Sequence, residues 1–117
     1  YKNKKPKDFG LAITVNNQLI GIIGAKNIDH KNKKTEIGYW IGEEYWGNGY
    51  TFQAIKQFDG FLRKKFKLTR IEAFPFSYNK PSQRVLEKAG FKFEGERKKS
   101  IFKKGKFLDD KIYARVK

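Results

Sequence analysis

The sequence predicts an α/β (α+β) fold: one mixed, mostly antiparallel sheet containing a parallel strand pair joined by a crossover helix. Three observations predict it. The run from Glu36 to Ile41 is strand-like and leads into a glycine-punctuated loop, Trp46-Gly47-Asn48-Gly49-Tyr50. From Thr51 the apolar positions Ala54, Ile55, Phe58, Phe61, Leu62 and Phe66 recur every three or four residues, with Lys56, Gln57, Arg63 and Lys64 mostly opposite, which predicts a helix over 50–66. Leu68 to Phe76 carries Ile71, Ala73 and Phe74, is bounded by Pro75 and the polar Ser77–Lys80, and reads as a second strand. Strand, crossover helix and strand in one sheet are most simply parallel with a right-handed connection.

The other elements extend the sheet. Phe9–Val15 and Leu19–Ala25 are strand-like runs joined by a three-residue hairpin signal, Asn16-Asn17-Gln18, and the second leads through a turn at 26–35 into the Glu36 strand. Asn79 to Phe91 predicts a short helix: Asn79 caps it, Pro81 fits its first turn, Val85, Leu86 and Ala89 face inward, and Gly90 stops it. Phe91–Phe102 and Phe107–Val116 flank a hairpin at Lys103–Lys106 with Gly105 free to be left-handed, and Leu108, Ile112, Ala114 and Val116 alternate on one face. Asp109 and Asp110 read as a solvated pair, with an acceptor pocket as the alternative.

The loop at 47–49 carries the chemistry. Glycines let the backbone turn tightly and present bare amides, and the helix that follows adds unpaired N–H groups and the positive end of its dipole, an arrangement suited to phosphate. Ligands of such units lie beyond the carboxyl ends of the strands, where this loop falls. Phe52 breaks a Gly-x-Gly-x-x-Gly dinucleotide fingerprint, and no Gly-Lys-Ser/Thr of a triphosphate loop is present. A turn that needs glycine only for geometry is the plainer alternative.

The Tyr-Trp-Gly-Asn-Gly-Tyr loop, the Arg70-Ile-Glu-Ala73 strand and the Asn79-x-x-Ser82 to Glu87-Lys-Ala-Gly-Phe91 segment, in this order and spacing, resemble the GNAT superfamily of acetyl-CoA-dependent N-acetyltransferases. Within it they look like the Rim-type branch, which includes enzymes that acetylate the N-termini of ribosomal proteins. The resemblance covers about residues 9–116. It implies that Trp46, Gly47, Asn48, Gly49, Tyr50 and Thr51 hold the coenzyme A pyrophosphate, that Trp40 and Ile41 pair their backbone with the pantetheine arm as if it were an added strand, and that Asn79 and Ser82 reach the pantetheine or thioester. The sequence departs from the family at two positions. Glu44 stands where the family's loop carries Arg or Gln, and Leu86 stands where many relatives carry the Tyr that protonates the leaving thiolate.

Amine attack on a thioester calls for a base and for a donor to the thiolate. Ser82 is the nearest substitute donor and Tyr78 a weaker one. Glu36 and Glu72 are the candidate bases, acting directly or through water, with ordinary salt-bridged strand carboxylates as the competing reading for each. Catalysis mainly by positioning two substrates is a further alternative. His30, the only histidine, falls in a polar turn and reads as solvated surface; with no Cys, a metal site is not expected.

Composition bounds the rest. At 117 residues the chain has the size of one domain over 1–117, able to bury on the order of 65% of its unfolded surface. No run approaches the ~18 apolar residues of a membrane span, and the implied use of acetyl-CoA points to the cytoplasm. Twenty-seven Lys and Arg against twelve Asp and Glu give a net charge of +15, which attracts ribosomes, RNA or coenzyme A itself, although dispersed lysine also arises from compositional bias. The family's usual N-terminal strand and two helices have no counterpart in this sequence. The expectation is therefore a fragment, with Tyr1–Lys7 the tail of a missing segment, or an acceptor pocket that is open or completed by a second copy in a homodimer. The function implied is transfer of an acetyl group from acetyl-CoA to a primary amine, foremost a protein or peptide N-terminus; the alternatives are a coenzyme A-binding relative without catalysis and a basic RNA- or ribosome-binding module.

Overall fold

Six strands form one sheet in the order β1-β2-β3-β4-β6-β5. The computed structural model describes residues 6–117; residues 1–5, part of the Tyr1–Lys7 stretch expected to be the tail of a missing segment, lie outside the described residues. The strands are β1 (Phe9–Val15), β2 (Gln18–Asp29), β3 (Lys34–Ile41), β4 (Arg70–Ala73), β5 (Lys92–Lys103) and β6 (Lys106–Val116). Helix α1 (Tyr50–Phe66) crosses from β3 to β4, and α2 (Lys80–Lys88) joins β4 to β5. Only β3 and β4 pair in parallel; the other neighbours are antiparallel.

Both helices pack on one face of the sheet. Ile55, Phe58 and Leu62 of α1 and Leu86 of α2 join Ile23, Ala25, Ile37, Ile71, Ala73 and Tyr113 of the strands in a single apolar core. On the opposite face Ile22 and Trp40, register partners of β2 and β3, are exposed. The hairpin chemistry is explicit: Asn16 (φ 52°) and Asn17 (φ 65°) make a two-residue turn, one residue tighter than expected, and Lys104 and Gly105 make its counterpart between β5 and β6.

Several boundaries differ from expectation. β2 runs four residues past Ala25 because a register shift between Lys26 and Asp29, with Asn27 at φ 52°, turns Ile28 back into the core. The polar Lys26-Asn27 pair that suggested a turn is thus a bulge. The turn that remains is short, and His30 is half-buried: its Nε2 lies 2.6 Å from Pro6 O, and its ring meets Phe66 edge-on. The solvated-surface reading of His30 therefore gives way to a tether for the chain ahead of β1. β4 is four residues long, not nine: Leu68 is buried ahead of it, and beyond Ala73 only Phe76 makes a further bridge, to Asp110. Pro75 has no N–H to extend the ladder. Leu108, Ile112, Ala114 and Val116 alternate away from the helices, and it is Tyr113 that enters the core.

Two buried carboxylates tie the elements together. Asp59 of α1 is 8% exposed and is gripped by Arg63 at 3.2 Å and by Arg115 of β6 at 2.6 Å. Arg63 also donates to Thr69 O and Arg115 O, both at 2.9 Å, which pins the end of α1 to the ends of β4 and β6. Asp110 is not solvated as expected but fully buried, accepting from Arg97 (2.6 and 2.8 Å) and from the Ser100 hydroxyl (2.8 Å). Burial raises its pKa, but the bonds from Arg97 and Ser100 outweigh burial and hold it below the usual aspartate value.

Replacing Asp59 by Ala strands two arginines and should cost about 3 kcal/mol in a urea unfolding titration; a loss below about 1 kcal/mol would mean that solvent already screens the network. Asp110 has its pKa lowered in the fold, so its contribution is complete above the ordinary aspartate range and drains away as pH falls through the lowered value. Asp110→Asn should accordingly be less stable than the parent at neutral pH, with the gap narrowing on acidification below about pH 4, as read from thermal melts across pH.

Candidate active site

The parallel pairing of β3 and β4 stops at Ile37 with Ala73, yet β3 continues to Ile41, still bonded to β2 on its other side. A gap therefore opens between two strands of one sheet. Lining the cleft there, of roughly 710 Å³, are the end of β3, the loop leading into α1 and the first turns of both helices. Gly21 permits the close approach of β2 that supports this strand end, since a Cβ there would lie 2.1 Å from Trp40 O.

The loop is held open toward the cleft by its own bonds. A 3-10 turn at Glu43–Tyr45 reverses the chain after β3, and the Trp46 indole donates to Ile41 O at 2.8 Å, taking one lone pair of that carbonyl. Asn48 donates through its side-chain Nδ2 to Tyr45 O and Trp46 O, so the donor it offers an anion is its backbone amide. Gly47 (φ 81°) and Gly49 (φ 78°) occupy the left-handed region, and Gly49 caps α1. The first helical bond runs from Gln53 N to Gly49 O. Among the described residues, the amides of Gly47 to Gly49 make no bond within the chain, and Tyr50, Thr51 and Phe52 have no helical acceptor. At the rim, Lys88 and Lys56 lie over the Phe52 ring, at 4.7 and 5.6 Å, and Arg84 lines the cleft wall.

On the far wall, Asn79 caps α2 by accepting from Ser82 N at 3.2 Å. Buried Gln83 fixes the same turn by donating to Phe76 O and Ser77 O, both at 3.0 Å, while Lys111 donates to its carbonyl oxygen. Ser82 Oγ thereby meets the Tyr39 hydroxyl at 2.7 Å, inside the cleft. Burial pushes the Tyr39 phenol above its ordinary value, with the Ser82 bond opposing.

Of the residues singled out in the sequence, Trp40, Ile41, Trp46, Gly47, Gly49, Tyr50, Thr51, Asn79 and Ser82 all line this cleft. Glu44 does not, and it is exposed. Tyr78 is exposed and stacks on Phe76 outside it. Leu86 is fully buried in the core and supplies no hydroxyl to the cleft. Glu36 and Glu72 are register partners on the parallel pair. Their neighbours Thr35, Ile37, Ile71 and Ala73 are buried on the helix side, so both carboxylates project from the other face, outside the cleft lining. Arg70 donates to Glu72 at 2.8 Å, the salt-bridged arrangement held open as its alternative, whereas Glu36 has no ion pair among the described residues.

Sequence reading passed over Tyr39, Gln83, Arg84 and Lys88. Tyr39 carried a usable signal: it shares strand parity with Ile37 and Ile41 at the end of a strand that abuts the loop. Gln83 carried none, because its burial depends on carbonyls of the 76–77 loop.

Among the described residues, no helix is long and apolar enough to cross a membrane, and no cluster of three metal-binding side chains occurs. Residues 1–92 match the acetyltransferase (GNAT) domain family. An uncharacterised N-acetyltransferase, YoaA of Bacillus subtilis (strain 168), is 32% identical over 117 residues, which cover 100% of this chain and 66% of YoaA. The ribosomal-protein-serine acetyltransferase of Escherichia coli (strain K12) is 32% identical over 99 residues, covering 85% of this chain and 55% of that protein. Among solved structures, the microcin C7 self immunity acetyltransferase MccE in complex with acetyl-CoA and AMP aligns with a TM-score of 0.89 at 29% identity, over 95% of this chain and 62% of that one. The chain thus spans between about half and two-thirds of these relatives' lengths. By its strand gap, its glycine loop and these matches, the chain belongs to the GNAT acetyltransferase family.

Proposed function

We propose that this domain binds acetyl-CoA in the cleft and transfers the acetyl group to a primary amine, foremost the N-terminus of a protein or peptide. One observation carries the reading: amides without acceptors at the glycine loop and the head of α1 converge at the mouth of a gap between strands whose far wall bears two hydroxyls. The pyrophosphate rests on the amides of residues 47–51, where loop and helix dipole both favour negative charge. Arg84 and Lys88 add cations at the rim. The pantetheine runs along Trp40 and Ile41 in the place β4 would have filled, meeting backbone as an added strand does, with the Asn79 amide beside it.

The chemistry follows from that pose. The amine nitrogen, once neutral, attacks the thioester carbonyl carbon; a tetrahedral intermediate collapses with cleavage of the C–S bond, and Ser82 supplies the proton that the departing thiolate takes up. The acceptor approaches from the open sheet face, where Glu36, free of an ion pair, accepts the ammonium proton directly or through water, while Glu72 is committed to Arg70. A protein N-terminus as acceptor is supported by the relative named a ribosomal-protein-serine acetyltransferase. The net charge of +15 supports encounter with RNA-rich assemblies.

Gly49→Val forces a β-branched residue into left-handed backbone and should weaken acetyl-CoA binding at least about tenfold in a folded protein; calorimetric titration giving unchanged affinity would sink the loop assignment. Ser82→Ala should lower kcat by about a hundredfold with little change in coenzyme KM, measured by thiol release with peptides bearing free N-termini. Binding without turnover in the parent protein and every peptide tested would instead indicate a coenzyme-binding relative. Co-sedimentation with ribosomes should fall steeply between low and moderate salt, while acetyl-CoA binding, which engages few phosphates, falls less. Equally shallow slopes would make the charge background composition.

A further inference from the structure

We propose that Tyr39 is the positioning residue that makes Ser82 a proton donor, the two hydroxyls forming a relay that replaces the tyrosine missing at Leu86. This rests on the reading of Ser82 given above. A serine hydroxyl carries one proton, so a serine that donates to a neighbour has none to give a leaving group. The 2.7 Å contact between Tyr39 and Ser82 therefore has to run in one direction for catalysis to use it.

The chemistry of the pair fixes that direction. A phenol is a far stronger acid than an aliphatic alcohol, so the favoured arrangement has Tyr39 O–H donating to Ser82 Oγ, which leaves the serine proton free to point into the cleft. The backbone holds both groups for this role. Ser82 is fixed by the Asn79 cap and by Gln83 in the next position, and Tyr39 is carried on β3, paired with Ile23 of β2. Burial keeps the phenol protonated through neutral pH. As the C–S bond breaks, the Ser82 proton passes to sulfur and the Tyr39 proton moves toward the serine oxygen. The phenolate left behind regains a proton, by way of solvent, from the attacking nitrogen, which sheds its extra proton as the tetrahedral intermediate collapses to the amide, so the cycle needs no further reactant.

Tyr39→Phe keeps the ring that lines the cleft and removes only the hydroxyl. Using acetyl-CoA and a peptide with a free serine N-terminus, we expect kcat to fall about tenfold, the size of one lost charge-assisted hydrogen bond, with coenzyme affinity and melting temperature nearly unchanged. Rates in mixtures of H2O and D2O should depend on deuterium content along a curve in the parent, as two moving protons require, and along a line in Tyr39→Phe. Tyr39→Phe combined with Ser82→Ala should be no slower than Ser82→Ala alone. Full turnover in Tyr39→Phe with loss in Ser82→Ala would overturn the relay and leave Ser82 as a lone donor. Equal losses of turnover and coenzyme affinity in Tyr39→Phe would also overturn it, making Tyr39 a wall of the cleft. Full turnover in Ser82→Ala would remove the relay together with the donor it rests on.

Discussion

Four residues of β3 have no partner on the β4 side, and the site is built on that mismatch. Lys34 to Ile37 pair with Arg70 to Ala73, after which β4 ends, while β2 holds β3 in extended form as far as Ile41. A sheet normally has no room between neighbouring strands, whose spacing is about 4.8 Å. Ending one strand early creates room without disturbing either half, because β2 supports β3 on one side and β6 supports β4 on the other. The glycine loop and α1 then follow β3 directly, so the anion-binding amides stand at the mouth of the gap by chain connectivity alone.

Each helix has to be fixed relative to the gap, and buried polar groups do this where apolar packing would allow sliding. Asp59, gripped by Arg63 and Arg115, fastens α1 to the strand ends, and Gln83 fastens the first turn of α2 to the 76–77 loop. Tyr113 donates to Glu87 at 2.8 Å, which secures the other end of α2 to β6. Such groups tolerate little displacement, since an unmatched buried donor or charge is costly.

The parts legible in the sequence were those with local causes. The period of α1 from Ala54 to Phe66, the Asn79 cap with Pro81 behind it, and the glycines at 47 and 49 each follow from short-range geometry, and the structure has them as read. The missed or misread features depend on distant partners. Asp110 looked solvated because Arg97 and Ser100 meet it only once β5 and β6 pair, and Asp59 meets Arg115 across 56 residues of chain. The bulge at Asn27 hid four residues of β2, since a period-two pattern cannot register an inserted residue. Tyr39 was hidden differently: its parity was readable, but its contact with Ser82, 43 residues away, belongs to the tertiary fold.

Titration of the isotopically labelled protein with coenzyme A, followed through its backbone amide NMR resonances, tests the central claim most directly, because it reports where the anion sits without requiring turnover. The largest shifts should fall on the amides of Gly47 to Thr51, with a second set at Trp40 and Ile41 and saturation of both at one ligand concentration. Shifts confined to the scattered lysine-rich surface, with the 47–51 amides unmoved, would contradict the account.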